Sequence, residues 1–405
     1  MVYFRWQFPT PNALPPTPLQ QDIFLIGSGQ TKFGEWWDKS IKDLMEEAAT
    51  AAIDSSGCTA LDIDMVIVGN MAAEVGSDQA HLGSIASTML PHHPPALRVE
   101  SACGSGAAAV HTACAMLESG RAETVLVIGV EKMTDASLDQ ISSALMGAAD
   151  TEADRPAGLT FPGIFGIIAR AYMHEYGLTR DQLSIVSALH HRNAMENPFA
   201  QFRSTLTPEA VSKSSPVADP LRLLDCSPIS DGAAACILST KHESPLRLIA
   251  SKMASDVVSL TERSSLTSFA ATRDAMDGAL REAEIRREDI AFLETHDCFS
   301  IAALINLEDL GFAEPGEGIK IYQSLYEVSP SPPRLRGGGG RGEGFEVNHS
   351  GGLKACGHPV AATGVKQIID IGKQLRTFKS RYGLAHNFGG ACASCGIHIL
   401  ENLEA

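Results

Sequence analysis

The order of strand-like and helix-like segments constrains the fold of this chain most strongly. Apolar runs alternate with helical patterns in a first series, "DIFLIG", "IDMVIVGN", "ALRVE" and "ETVLVIGVE", and helical spacing also predicts a helix over 78–90. A second series, "LRLIASKMAS", "IAFLETHD", "YGLAHNF" and "CGIHIL", repeats the alternation near the C-terminus. Strands that alternate with helices predict a layered α/β fold with a mainly parallel sheet. The order of elements alone suggests two similar halves, since no fine sequence period links them.

Composition along the chain suggests where the domains begin and end. Residues 135–222 are rich in helix formers and predict an inserted, mostly helical loop domain. We therefore expect an N-terminal half of residues 21–134 plus 223–244 and a C-terminal half of residues 245–405. The Pro-rich start, 1–20, and the Pro/Arg/Gly stretch 329–344 predict a flexible tail and a flexible insert.

Charge and cysteine content exclude several classes of protein. The 405 residues are 44% hydrophobic and 20% charged, as in globular proteins, and the net charge of −16 argues against a nucleic-acid partner. The sequence contains no run of about 18 apolar residues, so it predicts no membrane span. Nine cysteines without a signal-type leader predict reduced thiols and a cytoplasmic protein.

Cys103 is the first candidate for chemistry. It lies in "RVESACGSGAAAV", just after a predicted strand and just before a helix of very small residues. A helix N-terminus favours a thiolate, and this placement is typical of a nucleophile. A buried structural cysteine is the alternative, and the local context does not decide between them.

His358 occupies a second junction of the same kind. The stretch "NHSGGLKACGHPVAATG" places glycines and a His-Pro pair immediately before a predicted helix. Alone, this pattern is also explained by a turn with proline near the first helical position. Together, the two junctions predict one reactive group from each half facing a shared cleft.

A third cluster, "ETHDCFS", follows an apolar strand of the second series. It contains His296, Asp297 and Cys298 at a strand end, which is where α/β proteins commonly place active sites. Zinc is the rival interpretation, but no spacing here completes a zinc pattern. The pair Cys392 and Cys395 likewise lacks a second pair of ligands.

These stretches, taken together, resemble the thiolase superfamily. The matching pieces are "ESACGSG", "SPISDGAAACIL", "NHSGGLKACGHPVAATG" and "HNFGGACA", in that order along most of the chain. Conventional thiolases carry Asn-Glu-Ala-Phe where this chain has "HDCF". That motif is similar to the sterol-carrier-protein-x type thiolases and their archaeal and bacterial relatives.

The resemblance implies a fold and an activity. It implies the thiolase fold, in which two βαβαβαββ halves form a five-layered αβαβα arrangement, with a loop domain over the active site. It also implies a thiolase-type acyltransferase that cleaves 3-ketoacyl-CoA with CoA or condenses two acyl-CoA molecules. Such an enzyme belongs to lipid metabolism, as in fatty acid β-oxidation.

The resemblance also assigns roles to individual residues. Cys103 would carry the acyl group as a thioester, and His358 would take its proton. The second cysteine of conventional thiolases is replaced by Asn387, which leaves Cys298 as the proton-transfer candidate. His296 and His358 would form one oxyanion site, and the backbone N–H groups of Cys103 and Gly389 the other.

Binding residues and partners follow from the same resemblance. Asn348, Ser350 and Gly351 are the predicted substrate-binding residues, and no cofactor or metal is expected beyond CoA as a substrate. The expected partners are acyl-CoA and CoA, a second copy of the chain in a homodimer or homotetramer, and a small acyl-CoA-binding protein.

Two departures from the family pattern leave other functions open. His349 replaces a proline and Ala361 replaces a glycine, and both are expected to crowd the region beside His358. A catalytically impaired acyl-CoA-binding or scaffold protein is the main alternative. Ketosynthase chemistry on a carrier protein is a further one, although the Gly-His-Pro stretch and "HDCF" argue against it.

Overall fold

The computed structural model describes residues 18–327 and 345–405. The predicted flexible insert 329–344 and residues 1–17 of the predicted tail lie outside the described residues. The strands are β1 (Ile23–Gln30), β2 (Met65–Gly69), β3 (Ala96–Val99), β4 (Thr124–Glu131), β5 (Pro216–Ala218), β6 (Leu221–Arg222), β7 (Gly232–Ser239), β8 (Leu246–Ser255), β9 (Ile290–Glu294), β10 (Glu346–Val347), β11 (Tyr382–Gly389) and β12 (Ser394–Asn402). The helices are α1 (Ile41–Ser56), α2 (Ala73–Gly76), α3 (Leu82–Ser87), α4 (Ser105–Glu118), α5 (Leu138–Leu145), α6 (Phe161–Tyr176), α7 (Arg180–Asn193), α8 (Pro208–Ser212), α9 (Ala270–Ala283), α10 (Ser300–Asp309), α11 (Gly318–Glu327), α12 (Gly352–Cys356) and α13 (Ala362–Phe378).

The main sheet consists of two halves with the same strand order. Strands β1-β7-β4-β2-β3 form one half and β8-β12-β11-β9-β10 the other. In each half the first two pairings are antiparallel and the last two are parallel. A short antiparallel pairing of β1 with β8 joins them, with Ile23 opposite Leu248 and Phe24 opposite Arg247. The duplication inferred from element order is therefore present in the sheet itself.

Helices form three layers around these strands. Helices α4 and α13 contact strands of both halves and occupy the centre. Helices α1 and α3 pack against strands of the N-terminal half, whereas α9 packs against strands of the C-terminal half and beside α10. This gives the alternation of helix and strand layers that the resemblance implies.

Small residues allow the two central helices to approach each other closely. A Cβ at Gly106 of α4 would lie 2.3 Å from the carbonyl oxygen of Ala361, and one at Gly129 of β4 would lie 2.5 Å from it. Both positions therefore need glycine, because no real Cβ tolerates such distances. The small-residue run that precedes and forms α4 thus has a packing cause.

The predicted helix 78–90 is shorter in the structure. Helix α3 covers only Leu82–Ser87, because Asp78 and His81 adopt positive φ angles of 49° and 60°. Residues in that region of φ interrupt a right-handed helix.

The segment predicted as a loop domain, 135–222, contains α5, α6, α7 and α8. Phe165 of α6 stacks on Phe299 at the start of α10, with ring centroids 4.5 Å apart. The segment thus packs against the end of the "HDCF" motif, although its predicted boundaries stay a prediction. In the described part of the chain, no helix combines the length and apolar character needed to cross a membrane.

Candidate active site

Cys103 stands on a tight turn between β3 and α4. Ala102, directly before it, has a φ of +50°, and the Gly104 N–H donates to the Ser101 carbonyl over 2.9 Å. The Ser105 side chain closes the turn, since its Oγ accepts from the Ser101 N–H at 2.9 Å. A positive φ at a residue other than glycine is uncommon and costs free energy, so the turn is held by these bonds.

The β11–β12 turn approaches this cysteine closely. The backbone N–H of Gly390 lies close enough to the Cys103 sulfur to lower the pKa of its thiol. A Cβ at Gly389 would lie only 2.3 Å from the Ser101 carbonyl oxygen. The glycine pair therefore lets the backbone of the C-terminal half reach the nucleophile candidate of the N-terminal half.

The sequence-based expectation of a thiolate at Cys103 is not supported. Cys103 is partly accessible to solvent, yet protein surrounds its sulfur, and burial raises the pKa of the thiol to about 12. The Gly390 N–H lowers this pKa, whereas the Glu131 carboxylate raises it. Helix α4 does not outweigh burial, so the resting group is a thiol that needs a base.

His296 follows β9 and is fully buried. Its Nδ1 lies 2.8 Å from Nδ2 of Asn387, and its ring centroid is 4.1 Å from that of Phe388. With the Asn387 amide donating to Nδ1, the imidazole carries its proton on Nε2. Burial, together with the neighbouring His358, lowers the pKa of His296 well below its ordinary value, so the ring is neutral.

His358 stands opposite His296. Gly357, with a φ of +96°, turns the chain before it, and His358 Nδ1 lies 2.7 Å from Thr363 Oγ1. The two imidazole centroids are 4.9 Å apart with planes at 87°. Burial lowers the pKa of His358 to about 3. Within the described residues, Nε2 of each ring is buried and has no hydrogen-bond partner, so both ring edges remain available for a ligand.

Cys298 is buried, near enough to Cys103 for the two thiols to interact electrostatically. It is 7% exposed, and burial raises the pKa of its thiol well above the ordinary value, with the Cys103 sulfur as the next contribution. The rival cysteines lie elsewhere: Cys392 and Cys395 are both buried and contact Thr272 Oγ1 at 3.3 and 3.9 Å. Across residues 18–327 and 345–405, no group of three or more His, Cys, Asp or Glu side chains could hold a metal ion.

The predicted substrate-binding residues form internal hydrogen bonds. Asn348 Oδ1 accepts from the Thr295 N–H at 2.6 Å, and Ser350 Oγ donates to Glu294 at 2.7 Å. Gly351, with a φ of +109°, donates its N–H to the Asn348 carbonyl. These bonds fix the strand end that carries His296, while direct substrate binding by the three residues stays a prediction.

His349, the first departure from the family pattern, does not crowd His358 in the way the sequence suggested. The His349 ring packs edge-on against Phe292 and Phe378, with centroids 6.1 and 5.2 Å away. Phe378 is the last residue of the 17-residue helix α13, which places it about 25 Å along the helix from the His358 end. Ala361, the second departure, is buried, and its carbonyl oxygen fits against Gly106 and Gly129. Crowding of His358 by the Ala361 side chain stays a prediction.

Sequence reasoning singled out Asn387 but missed its contact with His296, and it missed Gly390 and Thr363 altogether. Thr363 contacts His358 and Gly390 acts on Cys103, but single polar or glycine residues leave no pattern in a sequence. Glu131, at the end of β4, is fully buried and accepts the backbone N–H groups of Met71 and Ala72. Burial raises its pKa to about 7, against these hydrogen bonds.

Comparison with known proteins identifies the class that this fold and site define. Residues 23–242 match the thiolase N-terminal domain family, and residues 253–402 match the thiolase C-terminal domain-like family. The chain belongs to the thiolase family, so the predicted family is confirmed.

Individual relatives narrow the class. The chain is 41% identical to an acetyl-CoA acetyltransferase of Methanothermobacter thermautotrophicus over 94% of its length and 100% of the relative. It is 28% identical to human sterol carrier protein 2, over 91% of this chain and 70% of that protein. The prediction of a thiolase-type acyltransferase agrees with the archaeal relative.

Solved structures confirm the predicted fold. The Ltp2-ChsH2(DUF35) aldolase has a TM-score of 0.78 at 21% identity and covers 95% of this chain and 99% of that one. Human mitochondrial 3-ketoacyl-CoA thiolase in complex with CoA has a TM-score of 0.73 at 19% identity, over 95% and 99% of the two chains.

Proposed function

We propose that this protein transfers acyl groups between CoA thioesters through an acyl-enzyme on Cys103. It cleaves 3-ketoacyl-CoA with CoA or, in reverse, condenses two acyl-CoA molecules, as the names of its archaeal relatives suggest for acetyl groups. The observation that supports this most directly is that neither His296 Nε2 nor His358 Nε2 has a hydrogen-bond partner among the described residues, while Cys103 and Cys298 are near enough to interact electrostatically.

Acylation is the first step of this proposal. The Cys103 sulfur attacks the thioester carbonyl while its proton passes to His358 Nε2. This requires the Nδ1–H tautomer of His358, which donates to Thr363 Oγ1. The bond from carbon to the CoA sulfur then breaks, and the proton leaves with CoA as its thiol. Because the pKa of the Cys103 thiol is about 12, proton removal accompanies attack rather than preceding it.

Condensation or cleavage is the second step. In the condensation direction, the Cys298 sulfur, as its thiolate, takes a proton from the α-carbon of the second acyl-CoA, and His296 donates its Nε2–H to the developing enolate oxygen. The enolate carbon then attacks the acyl carbonyl on Cys103, so the new carbon–carbon bond forms as the bond to the Cys103 sulfur breaks, and that sulfur recovers the proton from Cys298. Cleavage runs these steps in reverse. Asn387 stabilises the required tautomer of His296 by donating to Nδ1. One preorganised donor of this kind is typically worth about 3 kcal/mol of transition-state stabilisation.

The partners and compartment belong to the same proposal. We infer a homo-oligomer, because β3 is the last strand of its half, so its outer edge is unpaired among the described residues, and Leu97 on it is 45% exposed. A small second protein is a further proposal, supported by the name of the similar Ltp2-ChsH2(DUF35) aldolase. A cytoplasmic location accords with nine cysteines that are all free in the structure.

Mass spectrometry after incubation with acetyl-CoA tests the proposed function. The expected result is one acetyl group per chain, on the peptide that contains Cys103, and its loss when free CoA is added. Absence of any acyl-enzyme with acetyl-CoA and acetoacetyl-CoA, together with tight binding of both, would favour the acyl-CoA-binding alternative.

A further inference from the structure

A buried polar cluster that the proposed mechanism does not use lies behind Cys298. It consists of His190 on α7, Asp297 in the "HDCF" motif and Lys354 on α12. His190 and Asp297 are both 0% exposed, and Lys354 is 2% exposed. Burying ionisable groups costs free energy, so this cluster is expected to have a specific structural or functional role.

Asp297 is held from two sides. Its Oδ2 lies 2.8 Å from His190 Nδ1, a contact that is close but poorly directed for a hydrogen bond. Its Oδ1 accepts the backbone N–H of Leu353 at 2.7 Å. The residue immediately before Cys298 is thereby tied to both α7 and α12.

Lys354 holds the other side of Cys298. Its Nζ donates to the carbonyl oxygen of Cys298 at 2.8 Å and also donates to the carbonyl oxygen of Asp225. The Ser227 N–H donates to the same Cys298 carbonyl at 2.9 Å. The peptide group after Cys298 is therefore held through its carbonyl oxygen, and the residue before Cys298 is held through its side chain. Together these contacts restrict the direction of the Cys298 Cα–Cβ bond.

His190 has no other polar task among the described residues. Its ring packs edge-on against Tyr322 of α11, with centroids 5.5 Å apart. Neither His190 Nε2 nor the Tyr322 hydroxyl has a hydrogen-bond partner in the described part of the chain. The imidazole is therefore directed at Asp297 and does not continue a network towards α11.

From these contacts we propose that His190 and Lys354 are positioning residues for the Cys298 thiol. They act through the Asp297 side chain and the Cys298 carbonyl, and they touch no reacting atom. The inference rests on the proposed function, in which Cys298 moves the α-proton. It predicts that the two residues matter for proton exchange but not for acylation of Cys103.

The test compares two partial reactions in His190→Leu and Lys354→Met. Acetylation of Cys103 is followed by mass spectrometry, and exchange of the acetyl-CoA α-protons is followed by NMR in deuterated buffer. We expect acetylation rates within about twofold of wild type and exchange slowed by at least about tenfold, because small misplacements of a reacting group are costly. His190→Asn, which can place an amide N–H near the position of Nδ1, should recover most of the exchange rate.

A second readout does not depend on turnover. Alkylation by N-ethylmaleimide, mapped by peptide mass spectrometry, should be several-fold faster at Cys298 in both variants, since a turn released from its contacts opens more often. Cys114 and Cys236, which are buried in the core, should react as in wild type. Glu401→Gln, which removes a buried charge paired with Arg247 and Arg381, is the matched control and should change neither readout.

Each outcome has one meaning. If wild type forms no acyl-enzyme, the proposed function fails, and the alkylation rates still decide whether the two residues hold Cys298. If acylation and exchange fall together, or if exchange and Cys298 alkylation both stay unchanged, the positioning role is wrong. If a variant does not fold, the remaining variant and His190→Asn carry the same comparison.

Discussion

In the N-terminal half, β2 ends at Gly69 and is followed by Asn70, whereas the equivalent strand β9 of the C-terminal half is followed by Thr295, His296, Asp297 and Cys298. Asn70 uses its amide on the Val130 carbonyl and on Glu131, at 2.9 and 2.8 Å. His296 Nε2, by contrast, has no hydrogen-bond partner in the part of the chain that the structure describes.

The strands that end next to these differ in the same way. β4 ends with the buried Glu131, whereas the equivalent β11 ends with Gly389, where the backbone meets the Cys103 turn. The N-terminal half thus holds the nucleophile candidate, Cys103, on the turn between β3 and α4. The C-terminal half supplies the candidates for proton transfer. The repeated strand order therefore determines where the side chains at the strand ends lie, while the residue types at those positions determine their chemistry.

The largest expected effect comes from removing the single reactive candidate of the N-terminal half. Cys103→Ala should lower turnover by at least about a thousandfold, because it removes the sulfur proposed to carry the acyl group. Steady-state thiolysis of acetoacetyl-CoA measures it. Cys58→Ala, which also removes a partly exposed cysteine, is the control and should retain activity. Turnover that persists in Cys103→Ala would place the nucleophile elsewhere.

Removing Cys298 should separate the contributions of the two halves. Cys298→Ala should still accept an acetyl group on Cys103, but exchange of acetyl-CoA α-protons should slow by about a hundredfold, since a positioned proton-transfer group contributes on this scale. Cys392→Ala is the matched control because Cys392 follows the glycine turn. Exchange that survives in the first variant and disappears in the second would assign the base to that turn.

The buried Glu131 of the N-terminal half should make the stability of the protein depend on pH. Its pKa is about 7 in the folded protein against an ordinary 4.5, so its ionisation opposes folding. Below about pH 4.5, Glu131 is protonated in both the folded and the unfolded chain and does not change the free energy of unfolding. Between about pH 4.5 and 7 it ionises mainly in the unfolded chain, so the free energy of unfolding falls as pH rises. Above pH 7 it is ionised in both states, and the free energy of unfolding falls no further on its account. A pKa of about 7 in place of 4.5 corresponds to about 3 kcal/mol.

Glu131→Gln should remove this part of the pH dependence. The free energy of unfolding, measured with urea, should fall by up to about 3 kcal/mol more in wild type than in the variant when the pH is raised from about 4.5 to about 7.5. Parallel curves for the two proteins would show that the carboxyl group is not strongly perturbed.

The smallest expected effect concerns contact between the halves. Gly389→Ala should destabilise the protein by about 2 kcal/mol, because the new Cβ would lie 2.3 Å from the Ser101 carbonyl oxygen. Gly147→Ala is the matched control, since nothing lies within 4 Å of its Cβ position. Thermal unfolding measures both, and equal melting temperatures for the two variants would contradict the close approach.

The sequence predicted the parts of this molecule that depend on pattern. Alternation of strands and helices gave the layered fold, and the motifs around Cys103, His296 and His358 led to the family. Long-range contacts were not predictable from local pattern, because nothing local in the sequence shows that Asn387 meets His296. Only the resemblance to the family brought the turn at Gly389 to Cys103. The state of the Cys103 thiol was misjudged for the same reason, since burial by distant segments decides its pKa.

The pairing of the first strand with the seventh also has a consequence for synthesis. Phe24 of β1 lies opposite Ser239 of β7, more than 200 residues later in the chain. At about 5–20 residues per second, β1 therefore waits at least about 10 seconds after translation for its partner. During that interval an apolar strand is exposed, so the nascent chain should be a client of chaperones that shield hydrophobic segments on the ribosome.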